Sequence, residues 1–175
     1  MHGAIESLRK NGRDRANRMK TIAKIISGGQ TGADRAGLDA ALARNLPHGG
    51  WCPRGRLAED GRIASRYQLR QTESPAYAVR TERNVLDSDV TLVFTFGPPQ
   101  GGSAATVGFA ARHHRPWLHL DLTGRPDRGI VEKIRAWLQS QPLQQELWSM
   151  DSERQTEPGE RGLVINIAHV FDHRI

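Results

Sequence analysis

The sequence of 175 residues contains one cysteine, Cys52, and no hydrophobic run long enough to cross a membrane. A single cysteine cannot form an internal disulfide, which is typical of proteins in a reducing cytoplasm. Spanning a bilayer takes about 18 consecutive apolar residues, and the N-terminus lacks the apolar segment and cleavage site of a secretory signal. We therefore expect a cytoplasmic protein that does not enter a membrane.

Motifs of several common enzyme classes and metal sites are also missing. No Gly-x-Ser-x-Gly nucleophile elbow occurs, no Gly-Lys-Ser/Thr completes a P-loop, and the lone Cys52 cannot build a cysteine-based zinc site. We predict no metal site and no catalytic residue. Cys52 has two interpretations, a thiol whose pKa is lowered by Arg54 and Arg56 or a small packing residue, and packing is favoured.

The formal net charge is +6, but the positive excess is concentrated in the first 20 residues. Six arginines and lysines stand there against Glu6 and Asp14, a balance of +4, so the rest of the chain carries +2. Polar termini of this kind rarely fold. We predict a disordered basic tail over residues 1–20 and a single domain over residues 21–175, whose small net charge disfavours nucleic-acid binding.

A predicted strand, a glycine-rich loop and a predicted helix follow one another at the start of the domain. Ile22–Ile26 is an apolar run typical of a buried strand, and Ala33–Arg44 is an alanine-rich helical segment. The loop between them consists of Ser27, Gly28, Gly29, Gln30, Thr31 and Gly32. Glycines let the backbone approach a ligand, and the helix start offers N–H groups to an anion. A tight turn without a ligand is the alternative.

The same succession of strand, glycine loop and helix occurs a second time. Val90–Phe96 has the β-branched and aromatic composition of a central parallel strand, and Gly97 opens the loop after it. The second helix then begins with donors for an anion: Gly101, Gly102, Ser103 and Thr106. Parallel strands would bring both loops to one carboxyl edge, where open α/β sheets bind ligands.

This alternation predicts an α/β fold, a Rossmann-like three-layer sandwich with a mostly parallel sheet and helices on both faces. Further strands are predicted at Tyr67–Arg70, Pro116–Asp121 and Leu163–Ala168. A helix capped by Ser74 and another capped by Asp127 are predicted, with a polar insertion near residues 139–162.

Charged side chains in two places need an interpretation. On the helix after Ser74, the charged residues are interpreted as a solvated face: Arg80, Glu82, Arg83 and Asp87. Asp121, at the end of a strand, is interpreted as a turn aspartate in preference to a cleft residue.

The segment from Pro47 to Gly61 is dense in glycine, proline and arginine, and it has two equally weighted interpretations. In one, backbone groups and Arg54 line an anion pocket and Trp51 stacks on a flat ring. In the other, the segment is an irregular loop with Trp51 as its buried plug.

Taken together, five segments resemble the molybdenum carrier family, whose members include molybdenum cofactor carrier proteins. The family is similar to the wider Rossmann-like group of lysine-decarboxylase-like phosphoribohydrolases and the DNA-processing protein A fold. The resemblance covers roughly Lys24 to Leu122 and depends on these segments: Ile26–Ala36, His48–Arg56, Ala58–Gly61, Arg80–Asp89 and Gly101–Thr106.

The resemblance implies binding and protection of molybdenum cofactor, a pterin phosphate whose own dithiolene holds the metal, so that the protein needs no metal ligands. Molybdate or a nucleotide are alternative cargoes, and a homo-oligomer is implied. It places Gly28–Gly32 and Asp34 at one side of the pocket and Trp51 and Arg54 at the rim. Under the phosphate it places Gly101, Gly102, Ser103 and Thr106. Asn166–Ala168 matches the start of the family's C-terminal segment, but the residues after it do not.

Two alternatives to a non-catalytic carrier follow from the wider group. A nucleoside-monophosphate phosphoribohydrolase resembles this chain in its second glycine loop, but in those enzymes a glutamate follows closely on the helix. Gly102–Phe109 contains no carboxylate, so the general acid/base is missing there. A nucleic-acid binder of the DNA-processing kind is disfavoured by the small charge of the domain.

Overall fold

The computed structural model describes residues 21–123, 128–141 and 162–168. The strands of these residues are β1 Ile22–Ser27, β2 His48–Gly49, β3 Trp51–Cys52, β4 Leu57–Ala58, β5 Gly61–Arg62, β6 Arg70–Gln71, β7 Val90–Thr95, β8 Trp117–Asp121 and β9 Leu163–Ala168. The helices are α1 Ala33–Ala43, α2 Tyr77–Leu86, α3 Gly101–Arg112 and α4 Arg128–Ser140. The N-terminal 20 residues, Asp127 and most of the predicted polar insertion lie outside the described residues.

Five strands form one sheet in the order β2-β1-β9-β7-β8, and every neighbouring pair is parallel. The last strand of the chain therefore lies at the centre. If β9 is counted first, the order becomes 3-2-1-4-5, which is the Rossmann strand order. The predicted α/β class with a parallel sheet is confirmed, and β9 takes the place that an N-terminal strand usually occupies.

Helices cover both faces of this sheet. On one face, Ala41 of α1 and Leu138 of α4 belong to the same buried cluster as Ile25, Val90 and Ile165. The register pairs Ile25 with Ile165 and Ile165 with Val90, so these three side chains share that face. The alternate residues of β7 and β9, such as Thr91 and Asn166, face α2 and α3 on the other side.

Several element boundaries differ from the sequence prediction. Helix α2 begins at Tyr77, because Ser74 and Pro75 form a turn in which the Ser74 hydroxyl accepts the Ala76 N–H at 3.1 Å. Strand β7 ends at Thr95. Strand β6 pairs only Arg70–Gln71, later than predicted. Helix α4 continues through Ser140, so the predicted insertion starts inside a helix.

Within the described ranges, no helix combines the length and the apolar composition that crossing a bilayer would require.

Asp89 fastens the central strand β9 to the start of β7. Its buried carboxylate accepts the Val164 N–H at 2.7 Å, and its own N–H donates to the Val164 carbonyl at 2.9 Å. We expect Asp89→Ala to lower the free energy of unfolding by about 2 kcal/mol, because it leaves a buried N–H without its charged acceptor. Urea unfolding measures this, and Asp89→Asn, which keeps an acceptor oxygen, should lose less. Equal stability of the wild type and Asp89→Ala would contradict this role.

Candidate functional site

The first glycine loop joins β1 to α1 and takes backbone conformations that favour glycine. Gly29 has φ 75° and Gly32, the residue that caps α1, has φ 77°. Within the part of the chain that the structure describes, no side chain caps this helix start, so the first-turn N–H groups depend on the loop, solvent or a ligand. Gly28 lies where a Cβ would overlap the guanidinium of Arg80, so the loop and α2 meet at van der Waals contact.

Two predicted binding residues of this loop use their side chains elsewhere. Gln30 donates to the Leu57 carbonyl at 3.0 Å and accepts the Glu59 N–H at 3.3 Å, and the Thr31 hydroxyl bonds the Glu59 carboxylate. Both side chains thus hold the β4–β5 hairpin (Leu57–Arg62) against the loop. Of their backbone N–H groups, that of Gln30 already donates to the Asp34 carboxylate at 3.2 Å, which leaves the Thr31 N–H as the backbone donor for an anion.

An ion pair joins the first helix to the same hairpin. The Arg35 guanidinium forms two hydrogen bonds with the Asp60 carboxylate, at 2.5 and 2.6 Å, and its Nε donates to the Gly29 carbonyl at 3.1 Å. The hydrogen bond from Arg35 holds the pKa of Asp60 below its usual value. Arg35 therefore connects the glycine loop to the β4–β5 hairpin.

Asp34 and Arg80 form a buried ion pair behind Gly28. Asp34 is fully buried, and its carboxylate accepts the Gln30 N–H at 3.2 Å and an Arg80 guanidinium N–H at 3.3 Å. Arg80 is 6 % exposed, and its Nε has no hydrogen-bond partner among the described residues. Asp34 thus orients Arg80, and the buried guanidinium keeps one donor unused.

The second glycine loop leads from β7 into α3, and Asp121 at the end of β8 holds its first residue. The Gly97 N–H donates to the Asp121 carboxylate at 2.8 Å, which also accepts the Thr123 N–H at 2.9 Å. Hydrogen bonds, first from the Thr123 hydroxyl and then from these N–H groups, lower the pKa of Asp121. Asp121 therefore acts as the turn aspartate predicted from the sequence.

The hydroxyls at the start of α3 already donate within the helix. Ser103 donates to the Gln100 carbonyl at 2.7 Å and accepts the Gln100 N–H at 2.9 Å, while Thr106 donates to the Gly102 carbonyl at 2.9 Å. In this conformation neither hydroxyl offers the donor that the sequence predicts. The Ser103 and Ala104 N–H groups donate to the Gln100 carbonyl at 3.0 and 3.2 Å, so what α3 offers to a ligand is the N–H groups of Gly101 and Gly102 and the positive end of its dipole.

A cleft lies beside the first glycine loop on the α2/α3 face of the sheet. Its lining residues come from the first loop, two helices and β9: Gly28, Arg80, Thr81, Asn84, Thr106, Asn166, Ile167 and Ala168. The free volume is about 10 Å³, which is at the lower limit for one water molecule. Because the space is so small and the Arg80 side chain is part of its lining, a larger ligand must bind at its mouth or displace a lining side chain such as this guanidinium.

Of the predicted binding residues, the structure brings Gly28 and Thr106 together as lining residues of this cleft. Gly101, Gly102 and Ser103 belong to the same first turns of α3 as Thr106. Arg54 is exposed, and its N–H donates to the Ser74 carbonyl at 3.3 Å, so it does not line the cleft.

Trp51 is held by α2 and not by the glycine loops. Its indole N–H donates to Asp87 at 2.7 Å, Arg83 lies over the ring with Cζ 4.6 Å from the centroid, and Asn84 bonds its backbone N–H and carbonyl. These contacts fix a half-buried Trp51 against α2. The adjacent Gly50 is required because a Cβ there would overlap the Ser27 carbonyl.

Cys52 behaves as the favoured interpretation predicts. The side chain is fully buried beside Leu38, Ile63 and Tyr67. Burial raises the pKa of its thiol, which is the opposite of an activated nucleophile. Among the residues that the structure describes, no cluster of histidine, cysteine and carboxylate side chains could hold a metal ion.

The interpretation of the α2 charges as a solvated face is wrong. Arg80 is buried against Asp34, Arg83 stacks on Trp51 and Asp87 accepts the indole N–H. Arg80, Thr81 and Asn84 lie on one side of α2, at spacings that place them over the sheet. A signal was present, since Val85 and Thr81 mark the buried face and Arg80 is adjacent to it on the helix.

Asn166 is the other lining residue whose role the sequence left open. It is 2 % exposed, its amide lies 3.4 Å from the Thr91 hydroxyl, and it belongs to the segment Asn166–Ala168 that borders the cleft. The part of the family's C-terminal motif that this chain keeps therefore reaches the cleft. Residues 169–175, including His169 and His173, lie outside the described residues.

Comparison with known proteins gives a family match and a similar solved structure. Residues 25–147 match a family described as the circularly permutated YpsA SLOG family. A crystal structure from Syntrophus aciditrophicus SB, described as a "putative molybdenum carrier protein", is 42 % identical, with a TM-score of 0.72. The similarity covers 86 % of this chain and 84 % of that one. No curated protein matches the chain.

Proposed function

This chain belongs to the circularly permutated YpsA SLOG family, and we propose that it binds and protects molybdenum cofactor or a related anionic ligand without transforming it. The resemblance to molybdenum carriers is confirmed by the relative from Syntrophus aciditrophicus SB. The central β9 agrees with the family's description, because moving that strand to the N-terminus restores the Rossmann order.

The observation that carries the proposal is the Arg80 guanidinium in the cleft. Burying a cation with an unpaired N–H donor, as at the Nε of Arg80, costs free energy unless an acceptor binds that donor. A phosphate monoester supplies oxygens in the planar arrangement that guanidinium groups bind. Asp34 neutralises part of the charge in the free protein, and a dianionic phosphate would add the remaining acceptors.

The position of the cleft supports an anion as well. In open α/β sheets ligands bind where the strand order reverses, and here that point lies between β9 and β7, whose carboxyl ends lead to Ala168 and to the second glycine loop. The α3 start faces this edge with its N–H groups. Pterin cargo brings its own sulfur ligands for the metal, so the donors present, guanidinium and backbone N–H, fit its phosphate and not the metal.

A phosphoribohydrolase activity has less support. Its mechanism needs a carboxylate at the reacting sugar, and the cleft-lining residues within the described ranges contain none. Asp34 has a carboxylate close to Gly28, but this carboxylate forms an ion pair with Arg80 and so is not placed to act as a general acid or base.

Anaerobic purification followed by mass spectrometry and metal analysis tests the proposal. We expect a pterin phosphate, with or without molybdenum, in stoichiometric amounts, and a longer lifetime of added molybdenum cofactor in the presence of the protein. Release of free base from nucleoside monophosphates would support the hydrolase instead. Absence of both binding and protection would contradict the carrier proposal.

A further inference from the structure

We infer that Tyr77 forms a stacking wall at the mouth of the cleft for the flat heteroaromatic ring of a phosphorylated ligand. The inference rests on the proposed function, because it assumes that the anionic group of the ligand reaches Arg80. It narrows the cargo to a ring-bearing phosphate, a class that excludes bare molybdate.

The geometry of α2 places Tyr77 on the cleft side of the helix. Arg80, Thr81 and Asn84 line the cleft, and Tyr77 precedes them by three, four and seven residues, which puts all four on one helical stripe. Tyr77 is the first residue of α2. Since α2 runs back from the carboxyl edge of the sheet, its first residue lies at the open end of the cleft.

The ring of Tyr77 is positioned but incompletely covered. The Arg80 Cζ lies 5.7 Å from the ring centroid, and the Thr81 hydroxyl donates to the Tyr77 carbonyl at 2.9 Å. The residue nevertheless remains 48 % exposed. An aromatic ring next to a buried guanidinium offers a ligand one apolar surface for its ring and one cation for its phosphate.

A bare oxyanion could use Arg80 but would gain nothing from Tyr77. A conjugated ring gains from stacking on an aromatic side chain, as a nucleic-acid base does. The two neighbouring groups therefore select for a ligand that carries both a flat ring and a phosphate, such as a pterin phosphate.

The test compares neopterin monophosphate with inorganic phosphate by calorimetric titration. We expect the wild type to bind neopterin monophosphate more tightly, Tyr77→Leu to weaken it about tenfold, and Tyr77→Phe to retain the affinity. Binding of inorganic phosphate should be the same in all three. Trp117→Leu is the matched control, because Trp117 is an exposed aromatic at the opposite edge of the sheet.

The outcomes separate this inference from the proposed function. If the wild type binds neopterin monophosphate and Tyr77→Leu binds it equally well, the stacking wall is wrong and the carrier proposal stands. Equal affinity of the wild type for inorganic phosphate and the pterin phosphate would likewise overturn ring recognition. If the wild type binds neither these probes nor molybdenum cofactor, the proposed function and the inference both fail.

Discussion

A variant that combines Arg80→Met with Asp34→Asn is expected to bind a pterin phosphate at least about thirtyfold more weakly than the wild type while remaining folded. The loss follows from removing the buried cation of the cleft, since charge pairs of this kind contribute about 2–5 kcal/mol when one member is deleted. Met has a volume similar to that of the arginine stem, so the cleft stays filled.

The double change is needed because the two side chains stabilise each other. Arg80→Met alone would leave the fully buried Asp34 carboxylate without its cation, and an uncompensated buried charge costs about 3–5 kcal/mol. Replacing both members of a buried pair is close to neutral. The Asp34→Asn change keeps a side-chain oxygen for the Gln30 N–H, which Asp34 accepts at 3.2 Å in the wild type.

Calorimetric titration with neopterin monophosphate and urea unfolding of the same preparations measure the two effects. Asp34→Asn alone should keep most of the binding, because Arg80 remains. Arg112→Met removes an arginine from α3 at an exposed position and controls for the loss of an arginine away from the cleft, while the double variant itself keeps the net charge of the wild type. Unchanged affinity in a folded double variant would show that Arg80 is not the anion site.

Local sequence signals predicted most of the elements. Buried strands such as Val90–Thr95 have a continuous apolar or β-branched composition, and the glycines of both loops precede small-residue helices. These signals depend on neighbours along the chain. Such signals can misplace an element boundary. Ser74 followed by a proline predicts that the helix starts there, but in the structure the helix begins at Tyr77.

Such local signals could not predict the order of the strands in the sheet. Leu163–Ala168 reads as a strand, but nothing in its composition indicates that it inserts between β1 and β7. That position depends on long-range pairings such as Ile25 with Ile165 and Val90 with Ile165. As a consequence, the end of the central strand β9 borders the cleft. The first glycine loop follows β1, the strand next to β9.

Arg80 was misinterpreted for a related reason. An arginine on an amphipathic helix is usually solvated, and only a partner makes its burial possible. That partner, Asp34, lies 46 residues earlier in the chain. Sequence reasoning selected Asp34 as a ligand residue, but in the structure its buried carboxylate accepts hydrogen bonds from Arg80 and from the Gln30 N–H.

Gly102→Asp is expected to abolish binding of the same pterin phosphate without unfolding the protein. Gly102 is the second residue of α3, where an added carboxylate would lie among the N–H groups that the phosphate needs. A carboxylate at a helix start stabilises the helix by about 0.3–1 kcal/mol, so the thermal midpoint should be unchanged or slightly higher.

Gly108→Asp is the matched control for this change, because it adds the same charge to the same helix at an exposed position with open space around it. Wild-type affinity is expected there, and titration with neopterin monophosphate compares the two variants. If Gly102→Asp also binds normally, the α3 start does not contact the anion, and the first loop with Arg80 would have to hold it alone. If both variants lose affinity equally, net charge and not the position of the carboxylate explains the effect. Loss confined to Gly102→Asp, together with loss in the Arg80 and Asp34 double variant, would require one anion that both loops reach.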